Sequence, residues 1–464
     1  MRKAKWLFLA VISFLVVPFA LWAADIQMHG DLNNRFTVYN NHIDLFSKHQ
    51  MDDGNVNDWW GEAKYRFWWD MATNDGKVKG VWATEIGGIE YGKGGSVGKS
   101  IGGGFSGDGV NIETRWLYTD FKLPWYDKMG VKMGLFPLKL NKYFWVETQM
   151  GVQFYGSANN VKYMFGWTRG NRYRKTSEDD DTTDLDSYYL KLDFKPVNPL
   201  ALSFFVDYIY KNRDSSEGPY PITAKLGEWY EVKRIKDADL SIFTLGLSGS
   251  FKQDNFFGNF DFMYQGGSID KVTYTGYDGI SKTDDFDLNA YFAHVDLGLS
   301  FGAAKLTYRF WYASGDDDSD DSDFDAFMSV DVDITDSMAL MEGPYTDDDY
   351  FVETPYIGDK GFIMNELMLD YKASKKLTVG CRAMYMMLAE DIEYYDNYGK
   401  KQSDDKLGFE FNAYLKYKLY NNVEFALNAG FFVSDDAMDY WEVDRDGNAD
   451  ENVFMTTARV RYKF

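Results

Sequence analysis

Apolar and polar residues alternate along this chain with a period of two, and that rhythm belongs to strands whose two faces meet different surroundings. Leu200, Leu202, Phe204, Val206, Tyr208 and Tyr210 interleave with Ala201, Ser203, Phe205 and Asp207. The same pattern runs through Tyr291 to Phe301, Phe409 to Tyr417 and Val423 to Val433. A helix would need apolar residues recurring at three and four positions, and no long stretch beyond residue 24 offers that. The expected class is all-β.

The connections sort into two kinds. Short turns fall at Asn74-Asp75-Gly76, Trp125-Tyr126-Asp127, Pro196 to Pro199, Gln253-Asp254-Asn255, Gly302-Ala303, Ala373-Ser374-Lys375 and Tyr420-Asn421-Asn422. Between them lie polar stretches near 41–58, 92–110, 170–184, 213–237, 269–284, 315–359, 390–404 and 436–450. Short turns alternating with long loops predict a transmembrane antiparallel β-barrel, turns on one side and loops on the other. An even number of strands returns both termini to the turn side. One weak strand near 146–155 brings the expectation to about 18 strands, with 16 as the near alternative. The barrel must close, because an open edge in lipid leaves backbone groups unpaired. Trp59-Trp60, Trp68-Trp69, Trp125-Tyr126, Trp167, Tyr371, Tyr417 and Tyr420 stand near strand ends, where rings with one wet edge favour the membrane boundary.

Met1 to Lys5 is basic, Trp6 to Leu21 is apolar, and Ala23 and Ala24 are small. This predicts a signal peptide over 1–23, cleaved after Ala23 or Ala24, leaving 24–464 as a single barrel domain with long acidic extracellular loops. A mean hydropathy of −0.42 excludes a bundle of membrane-spanning helices, each needing about 20 apolar residues. The 49 Lys and Arg against 72 Asp and Glu give a net charge of −23, so no nucleic-acid partner is expected. One cysteine makes neither an internal disulfide nor a thiolate metal cluster.

The terminal run Arg459-Val460-Arg461-Tyr462-Lys463-Phe464 resembles the last strand of Gram-negative outer-membrane proteins. With the leader and the hairpin rhythm, the whole chain resembles the outer-membrane porin superfamily. A weaker likeness, through Tyr312-Ala313-Ser314-Gly315-Asp316-Asp317, is to 18-stranded alginate-export-type barrels. The resemblance implies that Phe464, Tyr462 and Val460 form the signal read by the barrel-assembly machinery. It also implies that the surroundings are outer-membrane lipid and lipopolysaccharide, and that a homotrimer is an open alternative to a monomer.

If the apolar parity faces lipid, the other faces the lumen, since a charge at mid-bilayer on the lipid face costs about 2–4 kcal/mol. Parity then assigns Arg35, Lys64, Arg66, Arg115, Arg309, Arg382, Arg459 and Arg461 as basic pore-lining residues, and Asp207, Asp261, Asp296, Glu366 and Glu410 as acidic ones. Arg459, Arg461, Arg35, Lys64 and Arg66 are expected on one wall, facing Asp207, Asp261 and Asp296 on another. Leu138 to Trp145, just after Pro137, is a candidate inward loop that narrows the pore, and 315–359 could cap the mouth.

No cofactor is expected. Oxygen-rich Asp316, Asp317, Asp318, Asp320 and Asp321, and separately Asp444, Asp446 and Asp450, are weak candidates for surface Ca²⁺ or Mg²⁺, although the second group lacks the spacing of a calcium loop. An enzyme would need a nucleophile–base pair. There are only four histidines, and His294 with Asp296 on one face does not make a triad, so no catalytic residues are expected. The function read from the sequence is an outer-membrane porin passing small hydrophilic solutes or ions by diffusion. The alternatives are an adhesin or receptor barrel acting through its loops, and a channel specific for export or uptake of an oligosaccharide or polysaccharide.

Overall fold

The computed structural model describes residues 25–41, 57–92, 110, 112–171, 185–211, 233–234, 239–275, 281–318, 321–332, 334, 336–341 and 359–464. The leader at 1–23 lies outside them. Eighteen strands form one closed antiparallel barrel. They are β1 (Asp25–Asn40), β2 (Asn57–Ala72), β3 (Val78–Glu90), β4 (Ile112–Leu123), β5 (Tyr126–Asn141) and β6 (Trp145–Ala158). Then come β7 (Val161–Asn171), β8 (Leu185–Val197), β9 (Leu200–Lys211), β10 (Asp239–Gln253), β11 (Phe256–Thr275) and β12 (Ser281–Phe301). The last six are β13 (Ala304–Ala313), β14 (Phe362–Lys372), β15 (Leu377–Tyr395), β16 (Lys401–Tyr420), β17 (Val423–Ser434) and β18 (Val453–Lys463). Two-residue strands at Lys233–Arg234 and Asp323–Phe324 join the sheet without crossing it.

The cylinder closes where β18 pairs with β1, from Asp31 opposite Lys463 to Asn40 opposite Phe454. Gly30 and Phe464 exchange both backbone hydrogen bonds at 3.0 Å, and the Phe464 ring lies over the space that a Cβ on Gly30 would fill. The parity rule holds around the wall. Leu247, Leu297, Phe411 and Phe431 point outward and stand 40–50% exposed, part of an apolar skin of the kind a membrane covers. Trp125, Tyr371 and Tyr420 ring the short-turn end; Trp59, Tyr91 and Tyr188 ring the other.

Two of the expected loops are largely strand. The stretch near 269–284 continues β11 and β12, and that near 390–404 continues β15 and β16, with bulges at Ile269/Val272 and Met387/Ile392. Beyond the apolar band both faces of a hairpin can be polar, so the alternation fades while backbone pairing continues.

The β17–β18 connection is organised by its own acids. Asp439, in the 3₁₀ turn Asp436–Trp441, accepts the Tyr394 hydroxyl and the N–H groups of Asp446 and Gly447, both at 3.0 Å. Among the described residues no group of three or more His, Cys, Asp or Glu is placed to hold a metal ion. The connection that carries Asp444, Asp446 and Asp450 is held by Asp439. In the other candidate group, the carbonyl of buried Asp316 accepts Lys360 Nζ at 2.8 Å, and Asp320 lies outside the described residues.

Burial pushes the Glu442 carboxyl up to about 7, with Asp439, Asp444 and Asp450 adding to the rise against one N–H donated by Glu451. A raised folded-state value means the folded loop holds the proton more tightly than the unfolded chain, whose value is near 4.5. The resulting stability is complete below the unfolded value and is lost as pH rises through the folded one. Amide exchange across 436–452 should speed up beyond its intrinsic pH dependence between about pH 5 and 7.5, and Glu442→Gln should remove that excess. Equal profiles for the two proteins would refute the assignment.

Candidate constriction site

The barrel is narrowed by two inserts, and the first is the tip of the β5–β6 hairpin. The β4–β5 ladder ends at Leu117 opposite Leu135, and the β6–β7 ladder begins at Gly151 opposite Thr168. Beyond those points the hairpin pairs with itself as far as Asn141 opposite Trp145. Gly134 and Gly151 face each other in register at the point of departure. A Cβ on Gly134, whose φ is +121°, would lie 2.5 Å from the Leu117 carbonyl oxygen, and one on Gly151 would lie 2.1 Å from that of Trp167. Glycine pairs of this kind let a sheet bend sharply.

Once bent, the tip crosses the lumen. Asn141 Nδ2 donates to Asp261 on β11 at 2.6 Å and to Ser248 on β10 at 2.9 Å. The Tyr143 ring lies 5.0 Å from Phe292, 4.7 Å from His294 and 5.3 Å from Trp311, centroid to centroid. The segment Leu138 to Trp145 is thus the inward element its sequence offered.

The second insert is the β13–β14 connection. Between Phe324 and Met341 it carries Phe324, Phe327, Met328, Val332, Ile334, Met338 and Leu340, all buried. They pack on apolar residues that occupy lumen parity: Phe205, Phe292, Trp311, Met364 and Met384. Polar wall groups then fix the backbone. Gln265 both donates to the Met328 carbonyl at 2.7 Å and accepts its N–H at 2.8 Å. The Glu410 carboxylate accepts the Ser337 hydroxyl at 2.5 Å, the Met338 N–H at 2.6 Å and the Ala339 N–H at 3.2 Å. The inserts also grip each other. Val330 N–H donates to Phe144, and Val146 N–H donates to Asp331, both at 2.8 Å.

Asp336 is the electrostatic centre of this assembly. Its carboxylate lies 2.7 Å from Arg309 on β13, 3.8 Å from Arg382 on β15 and 3.5 Å from Lys142 at the hairpin tip. Burial by itself would raise the Asp336 carboxyl, but the charges of Lys142, Arg309 and Arg382 outweigh it and hold the group far below the usual carboxylate range. Arg309 also pairs with Asp296 at 2.7 Å and Glu366 at 3.4 Å, and Arg382 with Glu366 at 3.5 Å. His294 fits between Asp261 at 2.9 Å and Asp296 at 3.1 Å. With a carboxylate against each ring nitrogen, neither is left to activate a nucleophile.

These positions revise the parity reading. Asp207, Asp261, Asp296, Arg309, Glu366, Arg382 and Glu410 all face the barrel interior, but most are covered by the inserts. Asp207, Glu366 and Glu410 are at most 1% exposed. They are anchors for the inserts or, for Asp207, the acceptor of the Ser187 hydroxyl at 2.6 Å. The opposed walls of single sign are not present, because charges pair locally. Arg35 pairs with Glu62 at 2.6 Å and Arg459 with Glu424 at 2.7 Å. Lys64, Arg66 and Arg115 converge on Glu85 at 3.3, 2.5 and 2.5 Å. Arg461 Nε donates to Asp31 at 2.6 Å, and Lys463 lies 3.5 Å from the same carboxylate. On this side of the lumen the cations of Glu85 and Asp31 remain partly exposed.

A closed 18-stranded barrel with an apolar skin and an inward-folded constriction has the fold of the outer-membrane porins. No protein-family model matches the chain, and no curated protein does. Solved structures do. Pseudomonas aeruginosa OccD3 (OpdP) aligns with a TM-score of 0.53 at 12% identity, over 96% of this chain and 92% of that one. Pseudomonas aeruginosa OccK8 (OprE) gives 0.51 at 12%, over 95% and 98%. Acinetobacter baumannii OccAB1 gives 0.51 at 12%, over 94% and 97%. At such identities the likeness is one of fold.

Proposed function

We propose that this protein is an outer-membrane channel through which small hydrophilic solutes diffuse, and that its two inserts make it narrow and selective. The observation that carries the reading is the meeting of the inserts at Asp336 inside a cylinder whose outer surface is apolar. An 18-stranded barrel without inserts would enclose a wide aqueous channel. At the level of the inserts the β9–β16 side is filled by buried apolar residues, so the water path past them lies against β1–β4 and β18. That wall is net basic where three cations share Glu85 and two share Asp31. A net excess of one sign of fixed charge beside a narrow path raises the local concentration of the opposite ion.

The test is reversal potential in planar bilayers under a salt gradient. The wild-type barrel should favour anions, and Arg66→Ser with Arg115→Ser should move the potential toward cations. Unchanged selectivity with unitary steps still present would remove the basic wall from the account. A folded barrel that gives no steps would remove the channel.

A further inference from the structure

We propose that the short-turn end of the lumen is a binding site for small multivalent anions, held by Lys195, Lys252 and Lys305. This region is a cavity of about 710 Å³ on the turn side of the constriction. The three lysines come from β8, β10 and β13, all at lumen parity, and Ser250, Asn259 and Ser300 line the same space with uncharged hydrogen-bonding groups.

Among the described residues these lysines lack an ion pair, as Lys191 and Lys416 also do, and they are the basic residues that line this cavity. Lys64, Arg66, Arg115, Arg309 and Arg461 each have a carboxylate within ion-pair distance. Among the described residues, Lys195, Lys252 and Lys305 have none. The contact that Lys305 makes is with a ring, its Nζ lying 4.4 Å from the Phe257 centroid. The nearest acids by position are Asp193, two residues along β8 from Lys195, Asp254, two residues beyond Lys252 in the β10–β11 turn, and Asp370, opposite Lys305 on β14. None of the three lines the cavity, and Asp370 accepts the Tyr414 hydroxyl.

Spacing selects the ligand class. Neighbouring strands lie about 4.8 Å apart, so the roots of Lys195 and Lys252 are separated by roughly 10 Å and those of Lys252 and Lys305 by roughly 14 Å. Lysine side chains reach inward from such roots without crowding one another. A singly charged ion would meet one ammonium at a time, whereas a linear polyanion would meet two or three together. Each contact is charge-assisted and acts beside a low-dielectric wall. Tripolyphosphate has the required length and charge; orthophosphate does not.

Isothermal titration of the folded full-length barrel in detergent reads the site whether or not ions pass through it, so its outcome is separate from that of the channel reading. Tripolyphosphate should bind in a salt-sensitive manner and more tightly than orthophosphate. Lys195→Gln, Lys252→Gln and Lys305→Gln together should weaken it at least about tenfold, as loss of charge-assisted contacts predicts. Lys375→Gln with Lys376→Gln, in the β14–β15 turn at the same end, should leave the affinity unchanged. Heat-modifiable migration on gels checks that each variant is folded. The proposal is overturned if the wild-type protein does not bind tripolyphosphate, if the cavity triple variant binds it equally well, or if the turn variant loses as much affinity.

Discussion

Replacing Asp336 by Ala should raise the unitary conductance roughly twofold or more, because the lumen of an 18-stranded barrel is wide once its inserts let go. Asp336 is where the hairpin tip and the long insert share countercharges, with Lys142 on one and Arg309 and Arg382 on the wall. Deleting one partner of a buried ionic cluster costs up to about 3–5 kcal/mol, most where the remaining charges are left without a partner. Here Arg309 and Arg382 would keep Asp296 and Glu366, so the wall stays folded and the loss falls on the insert. Asp336→Asn, which keeps the shape and loses the charge, should lie between. Unchanged conductance in both variants would mean that the inserts are held by their apolar contacts alone. The depressed Asp336 carboxyl adds a pH expectation with its sign. A lowered folded-state value gives stability that is present above the unfolded value of 3.8 and lost only as pH falls through the lower folded one. This latch should therefore stay closed from neutral pH down to about 4.

The wall was legible because lipid and water impose opposite demands on alternate residues. Leu297 and Leu299 against His294 and Asp296 can be sorted from β12 by position alone, and so can Phe409 and Phe411 against Glu410 and Asn412 on β16. The seam was legible as well, since Val460, Tyr462 and Phe464 share the outward face. What parity could not separate is a wet lumen from a dry one. Arg66 and Glu410 sit on the same interior side of the barrel, yet one faces the open path and the other lies under the Ser337–Ala339 turn.

A signal for the dry half was nonetheless present. Phe205, Phe292, Trp311, Met364, Met384 and Met386 occupy the interior parity of β9 and β12–β15. A strand apolar on both faces is one buried on both. Those positions mark the part of the wall that another apolar segment must cover, and Phe324 to Met341 is that segment. The ion pairs were harder to see, because Glu85 and its three cations come from β2, β3 and β4 in a register that depends on bulges at Ala63/Tyr65 and Ala83/Thr84. A one-residue irregularity of that kind changes which side chains meet.

Substituting Val at Gly134 should have the largest effect of any single change on the shape of the lumen. The backbone there has φ of +121°, with the Leu117 carbonyl oxygen 2.5 Å from where a Cβ would stand. A β-branched residue does not adopt that conformation, and the obstructing atom is backbone, which cannot rotate aside. Gly151, its partner in register, meets the Trp167 carbonyl at 2.1 Å. With either position blocked, the hairpin cannot leave the wall between β4 and β7 at its present angle. Asn141 then loses Asp261 and Ser248, and Tyr143 leaves the rings of Phe292 and Trp311. Two outcomes follow from the same cause, and both are large. Either the folded fraction, read by heat-modifiable migration, falls steeply, or the barrel folds with the hairpin displaced and passes noisier, larger currents. Gly134→Ala should show the same defect somewhat more weakly, because its Cβ already meets the Leu117 oxygen but carries no branch. Gly76→Ala is the control, since its φ is also positive at +66° but nothing lies within 4 Å of its Cβ position. It should cost about 1 kcal/mol and leave the conductance as it was. A Gly134→Val barrel that folds in normal yield and conducts as the wild type does would show that the hairpin's path is not set at this glycine pair.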